Sequence, residues 1–141
     1  MPPNTPVSPA ISARIIHAAL VLGVLTFWLI GWYIGQSAAV PAEALPDRRV
    51  LYVALALVSA TLFGGAMFTA TRLGPIRPGI SQDEWWTQNL GKAIVVWSLV
   101  EAPSLLGLVA YTLTRDFRTL IATFIGLLFF GSYRPSRLIE R

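Results

Sequence analysis

Glu101 stands alone as a formal charge in a window, 93–114, that otherwise carries none. A carboxyl in such a setting can take up a proton or cation, or it can hydrogen-bond a neighbouring helix. Positions three and four apart share a helix face, so Ser98, Glu101 and Ser104 form the candidate proton or cation site. Pro103 has no amide to offer the carbonyl of Leu99, so a kink is expected beside the glutamate. If the window lies in hydrocarbon, an ionised carboxylate costs at least roughly 2.5–3.5 kcal/mol. No Lys or Arg falls at comparable depth in the other apolar windows, so the neutral acid is favoured. Thr26, Ser59 and Thr61 are the expected hydrogen-bond partners. His17, the one histidine, lies near the end of the first window, a poor match in depth.

The rest of the chain offers little other chemistry. It has no cysteine, no metal-spaced cluster, no nucleophile–base pair, no phosphate loop and no dinucleotide fingerprint. The expectation is a protein that is not an enzyme and holds no metal or cofactor.

What must position Glu101 follows from composition. Of 141 residues, 55% are apolar and 13% charged, and the mean hydropathy is +0.62, which excludes a disordered chain. The net charge of +4 and pI near 10.1 do not point to nucleic acid, because the basic residues are scattered between apolar windows. Those windows are 15–36, 50–71, 93–114 and 117–133. Each of the first three is about 33 Å long as a helix, enough for hydrocarbon about 30 Å thick. The fourth is short, and Arg118 and Arg134 would snorkel to make up the difference. The sequence therefore predicts an all-α, integral membrane four-helix bundle in one domain, 14–141, behind a proline-rich disordered leader, 1–13. Small residues at 37–42 raise the question of signal-peptide cleavage, but the preceding apolar stretch is too long for a usual signal, and an uncleaved first span is expected.

Lys and Arg set the orientation. Arg14, Arg72, Arg77, Lys92, Arg134, Arg137 and Arg141 fall on one side, against Arg48, Arg49, Arg115 and Arg118 on the other. Both termini are expected in the cytoplasm. The Arg-rich usage suggests a bacterial, multi-pass protein of the cytoplasmic membrane. Ser81-Gln82-Asp83-Glu84 is a capping box, so a helix should start there and run through 81–92 along the interface into the third span. Trp85 and Trp86 are the expected interface anchors at headgroup depth. Small residues allow helices to approach, and Gly31 with Gly35, Ala56 with Ala60 and Gly64, and Ala122 with Gly126 are the candidate packing seams. The short turn 114–116 makes the third and fourth spans an antiparallel hairpin.

The segment from Glu101 and Ala102 to Gly107, Leu108 and Val109 resembles the carboxylate helix of the rotor-ring c subunits of rotary ATP synthases. Arg77-Pro78 in the preceding loop resembles that family's Arg-x-Pro turn. The resemblance implies a proton-carrying role for Glu101. Spans one and four have no counterpart in a two-helix hairpin, and span two lacks the family's alternate glycines. The expected function is a non-catalytic accessory, assembly or structural component of a membrane complex, with proton or cation handling through Glu101 as the alternative. The expected partners are the bilayer and either a membrane complex or further copies of the chain.

Overall fold

A computed structural model describes residues 7–37 and 47–140. Residues 38–46, between the first two apolar windows, and most of the expected leader lie outside the described residues. Within them the protein is all-helical: α1 (Pro9–Ser37), α2 (Arg48–Ala70), α3 (Gln82–Thr114), α4 (Ile121–Ser132) and a short α5 (Pro135–Ile139), with a 3-10 turn over Phe117–Leu120 leading into α4. Three of these, α1, α2 and α3, are long and apolar enough to cross a membrane.

Helix α3 is the axis of the bundle, and α1, α2 and α4 pack around it. Half of its apolar window is buried, against 11% for α1 and 17% for α2. Its core face is made by Val96, Trp97, Val100, Ser104 and Leu108. Helix α1 runs parallel to α3, since Gly23 meets Glu101 and Gly31 meets Thr112. Helix α4 runs antiparallel to it, because Thr123 bonds Ser104 near the start of α4 while Tyr133, just past its end, meets Trp97. The start of α1 and α5 thus lie at the same end of the bundle, where Arg14 and Glu140 border a common cleft.

The helix ends follow local chemistry. The Ser81 hydroxyl accepts from the Glu84 amide at 3.2 Å, so α3 begins at Gln82 as the capping box predicts. It ends at Arg115, whose left-handed φ of 57° returns its amide to the Tyr111 carbonyl at 2.8 Å. Pro103 sits inside an uninterrupted α3 with its ring fully buried.

Two expected boundaries move. Helix α1 starts at Pro9 rather than after residue 13, and Ala13 is fully buried. Proline suits a first helical turn, and the Asp83 carboxylate caps that turn from α3, accepting from the Ser8 hydroxyl and from the Ala10 amide at 3.2 Å. The window 117–133 is not one α-helix. Asp116 accepts from the Arg118 amide at 2.9 Å and fixes a 3-10 turn, which leaves α4 only 12 residues, about 18 Å.

Candidate functional site

Glu101 lies on the side of α3 that faces α1. One carboxyl oxygen is 3.7 Å from where a Cβ on Gly23 would sit, an ordinary van der Waals distance that places the acid beside this turn of α1. The residue is partly buried, and no hydrogen bond or ion pair joins it to another described residue. Thr61 bonds its own Leu57 carbonyl, and Ser59 faces α4. Thr26 is exposed, and none of the three expected partners hydrogen-bonds Glu101.

The predicted polar stripe divides. Each helical residue advances about 100°, so Ser98 and Ser104 stand about 60° to either side of Glu101, on opposite flanks. Ser98 is exposed. Ser104 is fully buried against α4, its hydroxyl donating to the Val100 carbonyl at 2.8 Å. Only Glu101 of the three is turned to α1.

The α3–α4 seam is tight. Ala122 and Gly126 face α3, where Gly126 sits over Ser104 and Val100 while Gly107 of α3 sits under Thr119, Ala122 and Thr123. The Thr123 hydroxyl donates to the Ser104 carbonyl at 2.8 Å. On α1, Gly31 packs against Thr112. Gly35 lies in the last turns of α1, whose surroundings are outside the described residues.

The α2 seam is corrected. Ala56, Ala60 and Gly64 are exposed, and a Cβ on Gly64 would touch nothing within 4 Å. The buried face of α2 is Ser59, Phe63, Ala66 and Ala70, one residue out of register with the small stripe. Phe63 decides the register by stacking on Phe129 at 5.0 Å between ring centroids.

Trp85 and Trp86 are also placed differently from the expected headgroup belt, with 4% and 1% exposure inside the protein. The Trp85 indole donates to the Gly74 carbonyl at 2.9 Å, and its ring packs edge-on against Trp86 at 4.9 Å. Leu73, from the loop before α3, and Leu138 of α5 join the same core. The polar residues of this first part of α3, Gln82 to Glu84, face outward.

A second aromatic device escaped the sequence reading. The last four carbonyls of a helix lack intrahelical donors, and the end of α4 receives side-chain donors instead. Trp97 Nε1 donates to the Tyr133 carbonyl at 2.8 Å, and His17 Nε2 lies 3.1 Å from the Phe130 carbonyl. The imidazole is wedged edge-on between Trp97 and Phe130, at 5.2 and 5.7 Å. His17 thereby ties α1 to α4. No local pattern announces a contact across 113 residues.

At the opposite end, the Tyr52 hydroxyl donates to the Asp116 carboxylate. That bond, the Arg118 amide and the nearby Arg118 and Arg48 guanidinium groups hold the Asp116 carboxyl below its ordinary range. This pair ties α2 to the α3–α4 turn. Among the described residues no three His, Asp or Glu side chains gather as metal ligands would. Compared with protein-family models, curated proteins and solved structures, the chain finds no match, the rotor subunits that residues 101–109 resemble included.

Proposed function

We propose that the protein is a multi-pass protein of a bacterial cytoplasmic membrane, with four helices in the bilayer and both termini cytoplasmic. Its role in this reading is that of a non-catalytic component of a larger membrane assembly. The exposed faces of α1 and α2 support the membrane reading. Leu22, Leu29, Val53 and Leu57 are each more than half exposed, and a bundle in water would carry polar residues there. Helix α4 with its 3-10 turn reaches about 26 Å, and Arg118 and Arg134 at its two ends would snorkel to the interfaces.

Glu101 carries the assembly reading. Its carboxyl lies at mid-helix, partly open at the α1–α3 side of the bundle, with no partner among the described residues. In hydrocarbon, a polar group that its own chain leaves unsatisfied is best matched by a donor on another subunit. The same partial exposure favours a second reading, in which Glu101 exchanges a proton or cation with the outside of the bundle.

Three proteins distinguish these readings: wild type, Glu101→Gln, which keeps hydrogen bonding but cannot titrate, and Glu101→Leu, which does neither. In the assembly reading, purification in mild detergent retrieves the same stoichiometric partner with wild type and Gln, and roughly tenfold less with Leu, equivalent to about 1.4 kcal/mol. Mass spectrometry of the eluate gives the ratio. Partner recovery that is indifferent to all three, together with proton flux into proteoliposomes that is lost in Glu101→Gln, would replace the assembly reading with the second.

A further inference from the structure

Between α2 and the 3-10 turn and first turns of α4 lies an open apolar groove of about 460 Å³. That volume falls in the range of sites that hold small molecules. It is lined by the larger Leu55, Phe63 and Ile125 and by the small Ala56, Ala60 and Ala122.

Two features set this groove apart from an ordinary lipid-facing furrow. Ser59 lines it, is only 7% exposed, and its hydroxyl has no hydrogen-bond partner. Other helical hydroxyls in this chain are satisfied by their own backbone: Thr61 bonds Leu57, Thr69 bonds Gly65, and Thr114 bonds Ala110, each four residues back. A buried hydroxyl left without a partner is destabilising, and an acceptor brought by a ligand would relieve that cost. The second feature is charge. Tyr52 and Arg118 close one end of the groove. Arg48 also acts on the Tyr52–Asp116 pair, so two guanidinium groups stand against one carboxylate there, and that carboxylate is already engaged by the Tyr52 hydroxyl and the Arg118 amide. Arg118 itself is exposed and forms no salt bridge with a described residue.

The groove therefore presents, in order along α2, an excess of positive charge near Tyr52, a buried donor seven residues or about 10 Å on, and an apolar lining that continues to Phe63. We propose that it binds an anionic glycerolipid, with the phosphate at Arg118 and Arg48, an ester carbonyl accepting from the Ser59 hydroxyl, and one acyl chain along Ala56, Ala60 and Phe63. This rests on the membrane reading above. The burial of Ser59 favours a lipid over a helix from a second copy, because a helix about 10–12 Å across holds its carbonyls in its own hydrogen bonds, away from a side chain only 7% exposed. In a symmetric dimer, moreover, the same cationic ends would be brought towards each other.

The test is native mass spectrometry of delipidated protein in micelles, titrated with phosphatidylglycerol or phosphatidylcholine. Micelles make it independent of how the chain lies in a cell membrane, so failure here leaves the membrane reading standing. Wild type should retain phosphatidylglycerol about tenfold better than phosphatidylcholine, since basic residues near a membrane surface attract anionic headgroups. Arg118→Gln should remove that preference. Ser59→Ala should weaken both lipids several-fold, and Ala60→Phe, on an exposed position, should abolish both while thermal unfolding stays within a few degrees of wild type. Equal retention of the two lipids by wild type, or full retention by Ala60→Phe, overturns the proposal. So does a dimer that Ala60→Phe converts to monomer, which would assign the groove to a second copy of the chain.

Discussion

Substitution of Gly126 by alanine is expected to destabilise the bundle by about 1–3 kcal/mol, and substitution by leucine to prevent α4 from docking. A Cβ at this position would fall 1.8 Å from the Ser104 hydroxyl oxygen, 3.0 Å from the Ser104 Cβ and 3.3 Å from the Val100 carbonyl. The hydroxyl cannot simply swing aside. Ser104 is fully buried and its bond to Val100 has no solvent to replace it. Gly107, on the facing helix, is equally constrained, since a Cβ there would meet the Thr119 carbonyl at 2.7 Å and the Thr123 hydroxyl at 2.8 Å. Thermal unfolding in micelles provides the measurement, and a double mutant supplies the mechanism. Ser104→Gly should recover part of the loss caused by Gly126→Ala, whereas additive losses would show that the two positions do not meet. Gly64→Ala is the control. Its Cβ meets nothing, so that change should be neutral or stabilise by up to about 1 kcal/mol.

The second large effect is expected at Trp97. The side chain is fully buried, holds the Tyr133 carbonyl through its indole N–H and supports His17 with its ring. Trp97→Ala should cost about 3–5 kcal/mol through lost packing. Trp97→Phe keeps much of the ring but removes the donor, and should cost about 1–3 kcal/mol. The Phe variant also reports where the damage lies. If the indole caps the end of α4, tryptic cleavage at Arg137, just past that end, should accelerate while the α3–α4 turn keeps its resistance. Uniform loosening along the chain would mean that Trp97 acts only as core volume.

What could be read in the sequence, and what could not, divides by the range of the interaction. Long apolar runs and the capping box at Ser81 are local, and they give the three long helices and the start of α3. The turn at Arg115 is also local. The true start of α1 depends on Asp83, more than 70 residues away, and the C-terminal cap of α4 depends on His17 and Trp97. Neither could be read from neighbouring residues. Small-residue stripes show that close approach is possible but not which face is used. On α2 the bulky Phe63 found a stacking partner, and the face carrying Ala56, Ala60 and Gly64 was left outside. Gly23 was missed for a related reason. Nothing in α1 marks it as the neighbour of Glu101, a contact that only the packing of α1 on α3 brings about. The tryptophan pair shows the reverse case. A membrane belt assumes nothing else covers the rings, yet the loop before α3 and α5 fold over them.

In the proposed reading function turns on Glu101, narrowed from a stripe of three to a single carboxyl beside α1. Its meaning depends on hydrocarbon surrounding the bundle, and that is the claim most directly open to test. The chain has no cysteine, so single cysteines can be placed without background. Phe117, 63% exposed at the α3–α4 turn, and Ser136, exposed in α5 at the other end, are suitable sites. The measurement is labelling of spheroplasts with a membrane-impermeant maleimide. The account predicts that Phe117→Cys is labelled from outside and that Ser136→Cys is labelled only after lysis; labelling of both from the same side, or recovery of the protein in the soluble fraction, would contradict it.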